Sequence, residues 1–202
     1  DIPAPATLAR RILVTPGDLP PGFVVVGEPP PEGSDADGGF VRCLGAEAPT
    51  LKAAVRARSY SGELAKDGAG SVSSSAVAFD SPASATRVVD ILSSPSARDC
   101  FEEVINERLS RNPALPASAR GTLDALDVGV LGEGATGFRF EVTLPAEAVA
   151  ADPSEGAVPY IGDFYFVRRD RALAVLEFGN LRRPFSPEDA RAVAMSVIGR
   201  AG

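Results

Sequence analysis

The sequence predicts an α+β fold, a twisted antiparallel β-sheet with flanking helices. Three observations carry this expectation. Strand-like stretches come in adjacent pairs joined by short turns, so neighbours run antiparallel. Helix-like stretches are grouped and do not alternate with single strands, which argues against a doubly wound sheet. Helix starts repeat one signal, Ser81-Pro82, Ser94-Pro95 and Ser186-Pro187, an N-cap followed by proline in the first turn. The chain has 202 residues, 45% of them hydrophobic. No flexible linker divides it, so one domain over 1–202 is expected.

The elements follow in order. Residues 5–13 form a short helix with Leu8, Ile12 and Leu13 on one side, and 15–22 form a compact turn. Residues 23–26 are a short apolar strand, and 27–39, rich in Gly, Pro and acid, an exposed loop. Residues 51–61 read as a strand with Val55 and Ala57 inward and Arg56 and Arg58 outward. Residues 62–70 link it to a strand over 71–80, in which Val77 and Phe79 point one way and Val72, Ala76 and Ala78 the other.

After Ser81, Ala85, Val88, Val89 and Leu92 make one helical stripe; after Ser94, Phe101, Val104, Ile105 and Leu109 make a second. Asn112-Pro113 ends that helix, because the residue before proline is pushed out of the α region. Residues 121–130 read as an edge strand. Residues 137–144 read as a strand with Phe138, Phe140, Val142 and Leu144 alternating with Arg139, Glu141 and Thr143. A loop spans 145–159. Residues 160–169 and 172–178 form a hairpin that is apolar at nearly every position, which predicts central strands. The last helix opens at Ser186 with Glu188 and Asp189 near its positive end.

Composition narrows the function. The net charge is −7, which argues against nucleic-acid binding. Only Lys52 and Lys66 of the 20 basic residues are lysines, a bias of GC-rich coding. The chain does not begin with Met, so an upstream segment removed by processing or by the way the piece was cut is expected, and a lost signal peptide or membrane tether would be consistent with either. Cys43 and Cys100 admit two readings: two buried thiols in a reducing compartment, or one disulfide in an oxidising one. The second would join the irregular N-terminal part to the second of the paired helices.

The chemistry motifs are mostly negative. There is no histidine, so neither a Ser-His-Asp triad nor an H-E-x-x-H zinc site can form within the chain. Gly132–Gly137 matches G-x-G-x-x-G, but a strand follows where a dinucleotide site needs a helix, so it reads as a turn. Ser34-Asp35-Ala36-Asp37-Gly38 resembles the opening of a calcium loop without its closing Glu. Glu102 and Glu103 are adjacent on a helix and face different directions, so they do not make a carboxylate pair. Arg168, Arg169 and Arg171 at a hairpin tip read as solvated. No metal site and no cofactor are expected.

The candidate binding residues are Arg56, Arg58, Tyr60, Arg139, Glu141 and Tyr165, from the polar faces of strands. Arg and Tyr on a groove wall suit an anionic or sugar-like ligand; the plainer reading of the same residues is a solvated sheet face with cross-strand ion pairs.

A resemblance can be drawn from residues 13–22, ending in Asp18-Leu19-Pro20-Pro21-Gly22, with Cys43, the strand and helix over 77–92, Cys100, the hairpin over 167–175 and the terminal helix. This pattern resembles the secreted sensor-like domains and lipoproteins of actinobacteria, including the PknH-type extracellular sensor domain. It is also similar to the sheet-and-helix fold of PsbP and Mog1 proteins. The resemblance implies a secreted or extracytoplasmic domain, anchored or not, with a cleft beside an antiparallel sheet. Its ligand would be an unidentified small molecule, lipid or cell-wall fragment. The expectation is a non-catalytic ligand-binding or sensor domain. The alternatives are a carboxylate-dependent cell-envelope hydrolase, which needs two acids facing one pocket with one pKa raised, and an envelope interaction module, which needs an exposed apolar patch.

Overall fold

A computed structural model describes residues 3–31, 41–149, 154 and 156–202. The calcium-like segment at 34–38 lies outside them. The fold is α+β. Helices α1 (Pro5–Arg11), α2 (Ala48–Ala54), α3 (Pro82–Leu92), α4 (Pro95–Arg111) and α5 (Pro187–Gly199) flank one antiparallel sheet. Its strands are β1 (Val24–Val25), β2 (Val55–Tyr60), β3 (Leu64–Lys66), β4 (Gly70–Phe79), β5 (Gly121–Ala125), β6 (Gly134–Pro145), β7 (Ala157–Arg169) and β8 (Ala172–Leu181).

The spatial order is β1-β3-β4-β8-β7-β6-β5, with β2 also on β4. Strands β2 and β3 lie in series along the same edge of β4: Tyr60 pairs with Ser75 and Leu64 with Val72. The apolar hairpin of β7 and β8 is central, as its composition predicts. Both of its faces are covered, so alternate side chains enter two separate cores. On one face Val72, Ala76, Tyr165, Leu176 and Phe178 pack with residues of α1 and α5. On the other, Val77, Phe138, Phe140, Phe166 and Leu173 pack with residues of α2, α3 and α4. Phe101, Phe138 and Phe166 form an aromatic trio with ring centroids 5.7–5.9 Å apart, a spacing at which edge and offset contacts are favourable.

The three Ser-Pro starts behave as predicted. Ser81 accepts from Ser84 N at 3.2 Å, Ser94 from Ala97 N at 3.3 Å and Ser186 from Asp189 N at 3.3 Å. Thr15 and Asp18 form a reciprocal cap in the N-terminal turn, Asp18 accepting from the Thr15 N–H at 2.9 Å and its hydroxyl at 2.8 Å. No helix of the described residues is long and apolar enough to cross a membrane.

Several predicted elements change. The strand expected over 51–61 is a helix as far as Ala54 and a strand only from Val55. Pro49 starts the helix, and its Leu, Lys and Ala residues favour one; the β-branched Val55 opens the strand. The expected link at 62–70 contains β3. The edge strand expected over 121–130 stops at Ala125. The hairpin-tip arginines are tethered, not solvated. Arg168 donates to the Glu133 carboxylate at 2.9 Å, the same carboxylate accepts from Asp170 N at 3.0 Å, and Arg171 donates to Pro3 O at 2.6 Å. Asp170 takes a left-handed φ of 50° to make this turn.

Cys43 and Cys100 are joined, with Sγ atoms 2.09 Å apart. Of the two readings of the cysteines, the disulfide is the one realised. It ties the segment before α2 to the first half of α4.

Candidate functional site

A cleft of about 800 Å³ opens between α4 and the sheet. Residues of α4 form one wall and strands of the sheet the other. The N-terminal half of α4 is held down by the disulfide and by Phe101 in the aromatic trio. Two further ties hold α4 to the far edge. Asn106 donates its amide to Gly121 O at 2.9 Å and accepts from Gly121 N at 2.8 Å; Glu102 accepts from Leu123 N at 2.8 Å. The Glu102-Glu103 motif is thereby structural, since Glu103 lies 3.8 Å from Arg42 on the outside.

The wall formed by α4 carries Val104, Ile105 and Leu109, and the sheet opposite carries Val77, Phe140 and Val175. Towards β3 the lining turns polar. Ser71, Ser73 and Ser75 alternate along β4 on the cleft face, and Glu177 projects from β8 beside them. The register places Glu177 opposite Ser73 on one side and Phe164 on the other. Arg58, Tyr60, Glu63, Arg108 and Tyr160 complete this end.

Glu177 is half-buried, and its carboxyl has no hydrogen-bond partner among the described residues. Its pKa is raised, first by burial and then by the Glu63 carboxylate, against the pull of Arg108. Tyr160 is held neutral far into alkaline pH, by burial and then by Glu177 and Glu63. The Tyr160 ring covers Gly179, where an added Cβ would come 2.5 Å from the phenolic oxygen. Only glycine lets Tyr160 lie this close to the strand.

The six candidate residues divide between the two faces. Arg58 and Tyr60 line the cleft. They do so because a β-bulge at Arg56 shifts the register: Val55 pairs with Phe79 and Ala57 with Ala78, so Val55 and Arg58 share a face. The expected alternation of β2 therefore breaks at this point. Arg56 lies at the edge, 3.4 Å from Asp80. Arg139, Glu141 and Tyr165 belong to the opposite face. Arg139 makes a two-fold hydrogen bond to Asp163 at 2.7 and 2.8 Å, and Tyr165 is buried 5.2 Å from Phe178. Sequence reasoning missed Glu177, although it is the only charge in the run from Ala172 to Leu181. An acid alone in an otherwise apolar central strand was the available signal.

No protein-family model matches the chain, and no curated protein matches its sequence. Among solved structures it is similar to the extracellular domain of PknH from Mycobacterium tuberculosis, at 12% identity and a TM-score of 0.48, over 97% of each chain.

Two further features bear on the other sequence readings. Among the described residues no group of three or more His, Cys, Asp or Glu could hold a metal ion. Val24, Val25 and Val26 are 59%, 63% and 58% exposed at the outer edge of the sheet, an apolar strip of the kind that interaction modules use.

Proposed function

We propose that this chain is an extracytoplasmic, non-catalytic binding domain that takes a small apolar or amphipathic molecule into the cleft beneath α4. The observation that carries this is the cleft itself, a large concavity with an apolar wall and a polar end, the general form of a small-molecule site. The Cys43–Cys100 disulfide supports the location, since such bonds persist outside the reducing cytosol. Arg58 and Tyr60, already singled out in the sequence, are the proposed rim contacts. A sensor role, with a tether upstream of Asp1, is the form of this reading in which occupancy would be reported across a membrane.

A thermal-shift screen against lipids, fatty alcohols and cell-wall fragments tests it. A ligand present at a hundred times its Kd adds about 2.7 kcal/mol to stability. A bulky residue in the floor, Ser73→Phe, should abolish the shift while leaving the chain folded. Absence of any shift across the three classes would remove the reading.

A second reading is favoured by one observation. A hydrolase working through carboxylates needs two acids on one pocket with one pKa raised, and Glu63 and Glu177 meet that description. Turnover of chromogenic glycosides or esters, lost in Glu177→Gln, would establish it.

A further inference from the structure

We propose that Glu177 anchors the ammonium head of a single-chain amphiphile in this cleft, its alkyl chain lying along Val77, Val104, Ile105, Leu109 and Phe140. The inference rests on the binding reading above and names its ligand class.

Glu177 sits midway along one of the two central strands, between Ser73 on β4 and Phe164 on β7. Covered sheet interiors hold charge only when it is paired. Among the described residues no hydrogen bond reaches this carboxyl, which feels only the electrostatic pull of Arg108, and it lines the cleft. The missing partner is therefore expected to come from the cleft.

The sign of that partner follows from the neighbours. Five ionisable side chains surround the polar end near Glu177: Glu63 between β2 and β3, Tyr160 on β7, Arg58 and Tyr60 on β2, and Arg108 on α4. Tyr160 is neutral. Arg58 and Arg108 are exposed at the mouth, while Glu177 is the innermost charge. A carboxylate head beside Glu177 would also meet the field of Glu63 and be repelled. An alcohol offers a single donor. An ammonium brings three donors, enough for Glu177 and for the hydroxyls of Ser73 and Ser75, and its charge-assisted bond is roughly twice as strong as a neutral one. The apolar wall starts where this polar row ends, so head and chain would be recognised by adjoining surfaces.

The test is calorimetric titration of the intact chain at pH 7.5 with dodecylamine, dodecanol and dodecanoate, each below its micelle concentration. Dodecylamine should bind at least about tenfold more tightly than the other two, a difference of roughly 1.4 kcal/mol. Glu177→Gln should remove that advantage and leave dodecanol binding within about twofold. Glu188→Gln, an exposed acid at the start of α5 beyond the opposite face, removes the same unit of charge and should leave dodecylamine affinity unchanged. Equal affinity for the three probes, or equal losses in the two variants, would overturn the proposal and leave the cleft as a general apolar site, provided Ser73→Phe still blocks binding. Failure of all three to bind would overturn the proposal too, while a shift from another class in the thermal screen would keep the cleft reading.

Discussion

Arg139 and Asp163 face each other across β6 and β7, and the guanidinium donates two hydrogen bonds to the carboxylate at 2.7 and 2.8 Å. Asp163 is 2% exposed. An arginine that reads in the sequence as a ligand contact is thus occupied by a strand neighbour. Arg139→Met should leave a buried carboxylate uncompensated and cost about 3–5 kcal/mol in urea unfolding. Adding Asp163→Leu should restore most of the loss, because an apolar pair of similar volume avoids desolvating charge. Ligand binding in the cleft, on the other face, should not change in the double variant.

The Cys43–Cys100 bond closes a loop with a sequence separation of 57. On the chain-entropy account its removal costs about 4 kcal/mol. Replacing both cysteines with serine should lower the denaturation midpoint accordingly. Reducing agent should have the same effect on the native chain and none on the variant. Because the bond also holds α4 against the segment before α2, ligand-induced shifts should shrink in the variant even below its melting range.

Glu177 has a raised pKa, caused by burial and then by Glu63. The folded state therefore holds this proton to higher pH than the unfolded chain does. Stability attributable to the group is full below its unfolded value and is lost as pH rises through the folded value. Glu177→Gln should be more stable than the native chain at neutral pH, by on the order of 1 kcal/mol, or roughly 2–4 °C in Tm. That gain should vanish as pH falls through the ordinary carboxylate range. Thermal melts from pH 4 to pH 8 check the sign; a destabilised variant at neutral pH would contradict it.

Asp18 shows the opposite case. Burial opposes its charge, but hydrogen bonds from Arg200, Ser196 and Thr15 prevail and bring its pKa down to about 2. Arg200 also donates to Arg11 O and Leu13 O, both at 2.6 Å, so it clasps the end of α5 to the N-terminal turn. A depressed carboxyl adds stability above its unfolded pKa and loses it as pH falls towards 2. Arg200→Ala should cost roughly 2 kcal/mol at pH 7. It should also flatten the acid limb of the stability curve below about pH 4, where the unfolded Asp titrates.

Helix starts were legible because capping is local: Ser81, Ser94 and Ser186 each bond a backbone N–H three residues on. The central hairpin was legible because a strand covered on both faces needs apolar residues throughout. The beginning of β2 was not read correctly, although Pro49 and the Leu, Lys and Ala residues after it favour a helix as far as Ala54. Which candidate residues share a face was half legible. Arg58 and Tyr60, named by residue type, line the cleft, while Arg139, Glu141 and Tyr165 were grouped with them on an alternation that a single bulge at Arg56 undoes.

Taken alone, the sequence determined the α+β class, the helix caps, the central position of β7 and β8, and the lack of histidine chemistry. Each of these follows from near neighbours along the chain or from composition. Only the tertiary structure decided that the two cysteines bond, that α4 and the sheet line a common cleft, and that Glu177 faces it. Those outcomes depend on which face each strand turns inward and on contacts between residues far apart in the chain, and a period-two pattern cannot tell one covered face from the other.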